Sequence, residues 1–317
     1  KIYYSNGTVT SDVNANGVKD NGESGIQNWK IKLSGTKTDS VLTDANGNYS
    51  FAGLLVGNYT VSEILQTGWI QTAPGNPGTF SFVVSSGSNF TGNAFGNFQL
   101  GTISGMKFND LNGNGVKDNG EIGLQSWKIK LSGAKTDSVL TDANGNYSFV
   151  SLQAGNYSVS EMLQSGWLQT LPVGGTYSVG IISGSAFTSK DFGNFQYGMV
   201  SGTKFNDVNG NGGKENGEAG LQNWKIKLSG ARIDSVLTDA SGNYSFTNLT
   251  FGDYVVSEVN QNGWMQTIPS SPSTYALSVV SGSIYATKDF GNFQLGSISG
   301  MKYNDANGNG QRDNGVN

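Results

Sequence analysis

Trp127-Lys128-Ile129-Lys130-Leu131 alternates apolar and cationic side chains. A period of two turns Trp127, Ile129 and Leu131 to one face and both lysines to the other, as a half-buried β-strand requires. The same segment stands at Trp29-Lys30-Ile31-Lys32-Leu33 and at Trp224-Lys225-Ile226-Lys227-Leu228. It therefore returns roughly every hundred residues, a period of whole domains rather than of the short units of a solenoid. Each copy is long enough to bury a core of its own.

Outward from that strand, the rest of a unit is legible. Thr141-Asp142-Ala143-Asn144-Gly145 reads as a tight hairpin turn, with Asn-Gly tolerating positive φ. Tyr147-Ser148-Phe149, Tyr157 to Glu161, Trp167 to Thr170 and Tyr177-Ser178-Val179 follow as short runs, many of them aromatic or β-branched. No helical stripe of useful length interrupts them. The expectation is all-β, with tandem Ig-like sandwiches of about seven strands each. Repeat 1 is placed at residues 1–100, repeat 2 at 101–197 and repeat 3 at 198–295. Residues 296–317 supply the first strand and partial loop of an incomplete fourth. The join Phe98-Gln99-Leu100-Gly101-Thr102-Ile103-Ser104-Gly105 holds no Pro- or Ser-rich spacer, so little swivel and a stiff rod are expected.

Composition narrows the chemistry. The 317 residues include 47 Gly and neither Cys nor His, 13% are charged, and the net charge is −4. Disulfides, thiolate sites and the usual zinc ligand and general base are thereby removed. No basic stripe invites nucleic acid, and no apolar run is long enough for membrane insertion of this segment. The chain opens at Lys1 without a signal peptide and reads as part of something longer.

Hard oxygen ligands are abundant and ordered. Asp110, Asn112, Asn114, Gly115, Val116, Asp118 and Glu121 fill the pattern D-x-[DN]-x-[DN]-G-x5-E, an EF-hand-like calcium loop. Asp110, Asn112 and Asn114 bring side-chain oxygens to one side of a turn, and Gly115 permits the bend. Val116 offers its carbonyl, Asp118 fills the ninth position and Glu121 closes the shell. The loop recurs as Asp12, Asn14, Asn16, Val18, Asp20 and Glu23, and as Asp207, Asn209, Asn211, Gly213, Glu215 and Glu218. A fourth copy, Asp305, Asn307, Asn309 and Asp313, has Val316 at the twelfth position. Ca2+ is thus the expected cofactor, in a structural role. The segment 296–317 is either frayed or added as a strand to a neighbouring copy, which would make a fibre.

Gly105-Met106-Lys107-Phe108-Asn109-Asp110 running into the loop, Gly145-Asn146-Tyr147-Ser148-Phe149, Gly155-Asn156-Tyr157, Gly166-Trp167 and Asp191-Phe192-Gly193-Asn194 carry a resemblance. The chain resembles the B-repeat domains of bacterial serine-aspartate-repeat surface proteins. More distantly, it is similar to the B-type domains of collagen adhesins. The resemblance covers three units and the opening of a fourth, and implies a transthyretin-like sandwich.

Collagen-adhesin relatives often carry an isopeptide bond between a first-strand Lys and a last-strand Asn, beside a buried Glu. The positions implied here are Lys107, Glu161 and Asn194, then Lys204, Glu258 and Asn292. Against this, Lys107 could point outward and Asn194 could serve a turn. Repeat 1 has Val9 in place of the lysine and Ala94 in place of Asp191 and Asp289, so it cannot form the bond although Asn97 is kept. Asp142, Asp239, Asp191 and Asp289 read as turn residues, with a second metal site as the alternative. Each unit's Trp pair reads as packing rather than a sugar platform.

With no Ser-His pair, phosphate loop or open metal site, no enzyme is expected. The leading expectation is a calcium-rigidified stalk or fibre segment of an extracellular or cell-surface bacterial protein, projecting an adhesive region. The alternative is an adhesin module that binds a host protein or glycan, an unknown surface ligand, directly. A large aromatic patch repeated on one face would favour the alternative.

Overall fold

The computed structural model describes residues 4–312. These divide into two compact units, one ending at Gln196 and the other starting at Tyr197. The first unit holds two β-sandwiches and the second holds one; no helix occurs among the described residues.

The first sandwich sets the pattern. Its strands are β1 (Tyr4–Ser11), β2 (Lys30–Gly35), β3 (Asp39–Leu42), β4 (Asn48–Ala52), β5 (Gly57–Glu63), β6 (Trp69–Ala73), β7 (Phe80–Val84), β8 (Asn89–Phe90) and β9 (Phe95–Gln99). One sheet runs β4-β1-β9-β6, with the two-residue β8 beside β1; the other runs β3-β2-β5-β7. The expected sandwich is present, and two short strands, β3 and β8, add to the legible seven. The first and last strands of each unit lie side by side and parallel, with Val9 opposite Phe95, Lys107 opposite Phe192 and Lys204 opposite Phe290.

The Trp-led strand buries the face its alternation predicts. Trp29, Ile31 and Leu33 are buried, while Lys30 and Lys32 are exposed. The core is aromatic and packed edge to face, with Trp29 against Trp69 at 5.2 Å and Phe80 against Phe95 at 5.2 Å. One indole of each Trp pair is fully enclosed, which removes a flat sugar-binding platform.

Within the first unit the two sandwiches share a packed joint. Phe98 is part of the second sandwich's core, and Ala15, Ile70 and Leu100 pack against it. The backbone closes the joint: Ser183 N donates to Val13 O at 3.0 Å, and Gly184 N to Gln99 O at 2.9 Å. Val13 and Ala15 belong to the first acidic loop, so loop and joint are one structure.

The expected opening strand of a fourth unit does not form among the described residues. Residues 296–304 carry no strand, and Ile298 and Met301 are exposed. A strand needs a ladder partner, and none of the described strands pairs with this segment. Asp313, Val316 and Asn317, which bear on the fourth loop, lie outside the described residues, as does Lys1.

Candidate functional site

The strand Gly101–Asn109 sits inside its sheet, between Asn146–Leu152 and Phe192–Gln196. Its period of two turns Ile103 and Lys107 inward, so the lysine occupies a core position and is fully buried. The outward alternative for Lys107 is therefore excluded. Asn194 comes from the adjacent last strand, and Glu161 from the end of Gly155–Glu161 in the opposite sheet. The three side chains meet between the sheets. Lys107 Nζ lies 2.8 Å from Glu161 Oε2, and Asn194 Nδ2 donates to Glu161 Oε1 at 2.8 Å.

Repeat 3 reproduces the arrangement. Lys204 Nζ lies 2.7 Å from Glu258 Oε2, and Asn292 Nδ2 donates to Glu258 Oε1 at 2.7 Å. Lys204 Nζ also contacts Asn292 Oδ1 directly. Each amine is capped by an indole face, 4.5 Å from the Trp127 centroid and 4.4 Å from that of Trp224. Sequence reasoning placed both Trp residues in the core without seeing that they roof the amine. The available signal was the neighbouring strand pair, since Ile129, two residues on from Trp127, stands opposite Glu161.

Burial dominates the electrostatics of the cluster. Burial lowers the Lys107 and Lys204 pKa to about 8, although the carboxylates beside them pull the other way. A neutral amine, the nucleophilic form, is thus accessible near physiological pH. Asn194 Oδ1 and Trp127 Nε1 are buried without a hydrogen-bond partner, an unfavourable state for isolated polar atoms. Repeat 1 keeps two of the three residues: Val9 fills the lysine position, and Asn97 Nδ2 donates to Glu63 Oε2 at 2.6 Å. Burial raises the Glu63 pKa to about 7, with the hydrogen bond from Asn97 opposing it.

The loops adopt one geometry three times. In repeat 2, Asp110 accepts from Asn114 N at 3.1 Å and Gly115 N at 2.7 Å. Glu121 accepts from Leu111 N at 2.7 Å and Asp118 N at 2.9 Å. The Asn112 and Asn114 amides both donate to Asp118 Oδ2 at 2.8 Å. Asp12 and Glu23, and Asp207 and Glu218, repeat these backbone contacts. The Val116 side chain is exposed, as a position serving through its carbonyl permits.

The residues suit a hard cation in composition. Every polar side chain offered is an oxygen donor, and Asp110 and Glu121 are buried carboxylates outside all five ion pairs formed among the described residues. Burying charge without a counter-charge is costly, and a cation removes that cost. Three acidic side chains do not converge on one point among the described residues, so a ligand set here has to include the Asn oxygens. The fourth loop folds alike where described, with Asp305 accepting from Asn309 N at 3.1 Å and Gly310 N at 2.6 Å.

Asp142 and Asp239 cap their own hairpin turns, accepting from Asn146 N and Asn243 N at 2.8 Å. Asp191 and Asp289 hold the first strand, accepting from Met106 N at 2.8 Å and Thr203 N at 2.7 Å. All four act as turn or strand residues here.

Parallel terminal strands, a buried Lys–Glu–Asn cluster between two sheets and an acidic loop at the joint define a class: tandem sandwich repeats of surface-protein type. The chain belongs to the SdrD B-like domain family, whose model matches residues 6–96, 101–191 and 199–287. It is 28% identical over 292 residues to serine-aspartate repeat-containing protein F of Staphylococcus epidermidis (strain ATCC 12228 / FDA PCI 1200), covering 83% of this chain and 18% of that protein. It is 30% identical over 304 residues to serine-aspartate repeat-containing protein E of Staphylococcus aureus (strain Mu50 / ATCC 700699), covering 86% of this chain and 26% of that one. The chain thus spans about a fifth to a quarter of these curated relatives. Among solved structures, it aligns with BcpA, the major pilin subunit of Bacillus cereus, at 11% identity and a TM-score of 0.40, covering 93% of this chain and 100% of that chain. It also aligns with the Bacillus anthracis TIE protein at 17% identity and a TM-score of 0.37, covering 92% and 51%.

Proposed function

We propose that the chain is a structural spacer, a stalk segment of an extracellular bacterial surface protein that holds an adhesive region away from the cell. The observation that carries this reading is the buried triad repeated in two of the three sandwiches. In each, Lys Nζ attacks Asn Cγ. The new C–N bond forms, Nδ2 leaves as ammonia, and the Glu carboxyl passes the proton from the attacking amine to the leaving amine. No oxidant or co-reactant is needed. The reaction happens once per site, so the chain is a substrate of its own chemistry and not an enzyme.

The product suits a spacer. A Lys107–Asn194 bond joins the first strand to the last, so tension entering on one leaves on the other without opening the sandwich. The acidic loops add a second, reversible support. Asp110, Asn112, Asn114, the Val116 carbonyl, Asp118 and Glu121 would hold calcium, which would neutralise the buried carboxylates beside the same first strand. Near-identical units, rather than one unique cleft, fit a protein whose product is length.

The test is a tryptic map of the fully denatured chain by tandem mass spectrometry. Branched peptides linking Lys107 to Asn194 and Lys204 to Asn292 are expected. Linear peptides alone would remove the covalent support from the proposal.

A further inference from the structure

Two of the three sandwiches contain a complete triad and one does not. We infer that the chain is mechanically graded, with repeat 1 an extensible link in series with two inextensible ones. The inference rests on the cross-link reading above and goes beyond it, because it concerns the unit that lacks the bond.

The argument starts from the force path. In each unit the chain enters on the first strand and leaves on the last, and these two are parallel neighbours. Pulling on the ends shears that pair. In repeats 2 and 3 the bond would lie on the shear line, so the 88-residue separation between Lys204 and Asn292 stays closed whatever the load on the hydrogen bonds. In repeat 1 the same line crosses Val9 and Asn97, which share no reactive pair. Among the described residues of the unit no other lysine can substitute, because Lys19, Lys30, Lys32 and Lys37 are all exposed.

What remains on that line in repeat 1 is a short ladder: Val9 to Phe95, Thr10 to Gly96 and Ser11 to Asn97. The core behind it is complete, with Val9, Trp29, Phe51, Val61 and Phe95 all buried, so the unit packs without the bond. The lysine position is therefore filled as a packing site, and the loss of the bond leaves a stable module that yields. Once its ladder parts, the chain between Val9 and Asn97 can extend by about 30 nm, at roughly 3.3–3.6 Å per residue. A tether of this design absorbs a sudden load in one unit and keeps the others closed.

The experiment is single-molecule force spectroscopy on the whole chain, held at its two ends, in chelator so that the loops contribute equally. Intact mass is measured on the same preparation. The expected result is a mass deficit of two ammonias with one unfolding step of about 30 nm per molecule. Lys204→Val should add a second step, and Val9→Lys, where it restores a third ammonia loss, should abolish the step. A two-ammonia deficit with no step, or with more than one, overturns the grading while leaving the cross-links in place. An unaltered mass with three steps overturns both. Should Val9→Lys fail to fold, the wild-type chain and Lys204→Val still decide the matter.

Discussion

Lys107→Val converts repeat 2 into the arrangement that repeat 1 already has, a buried Glu–Asn pair beneath a valine. The fold should survive, because repeat 1 packs around a fully buried Val9. What is lost is the closure of a loop of almost ninety residues between Lys107 and Asn194. Treated as a cross-link acting on the unfolded chain, closing such a loop contributes about 4.5 kcal/mol. Removing the buried amide of the cross-link returns a little of that, since its desolvation is no longer required. The net expectation is a loss of about 3–4.5 kcal/mol confined to repeat 2. Hydrogen exchange read by mass spectrometry resolves it, because peptides from Asn146–Leu152 and Gly155–Glu161 report on this unit alone. Their globally protected amides should exchange about two to three orders of magnitude faster, while peptides from Asn243–Leu249 keep their wild-type rates. Exchange in repeat 2 within about threefold of wild type would refute the reasoning, since no loop-closing bond would then have been lost.

Further outcomes follow from the same geometry. Glu258→Gln should block proton transfer in repeat 3 only, so its intact mass should show one ammonia lost instead of two. Chelation should lower the melting midpoint: for sites of the extracellular kind, 10 mM calcium contributes about 1.4–2.7 kcal/mol per loop, and Glu121→Gln should blunt the response in repeat 2. A midpoint indifferent to chelator would remove the loops from the stability account. Glu63 makes repeat 1 sensitive to pH. Its folded pKa lies above its unfolded value, so its contribution is complete below pH 4.5 and is given up as pH rises toward about 7. The loss amounts to at most about 3 kcal/mol, less where water screens the group. Exchange in peptides of Asn48–Ala52 at pH 5 and pH 8, corrected for intrinsic rates, should show the loss in wild type and not in Glu63→Gln.

Much of this was legible in the sequence because the repeats act as controls on one another. The alternation Trp127 to Leu131 identifies a strand and its buried face, and its three copies identify the domains. Lys107 betrays itself by sitting at an inward position of a period-two strand. Val9 at the same place in repeat 1 shows that the position is a core position. Other features were hidden for physical reasons. Asp39–Leu42 is a half-exposed edge strand with little alternation, and Asn89–Phe90 is too short to show any. The roofing of Lys107 by Trp127 depends on how two sheets face each other, and spacing along one strand does not encode that. The meeting of Val13 and Ala15 with the second sandwich likewise depends on a joint between domains. The segment 296–304 matches the first strands of repeats 2 and 3 in sequence yet forms none, because strand structure resides in the pair and not in the single chain.

The most direct test of the central claim is the intact mass of the purified, denatured chain. Two bonds predict a mass lower than that of the sequence by two ammonias, about 34 Da, falling to about 17 Da in Lys107→Val. A mass equal to that of the sequence would contradict the account.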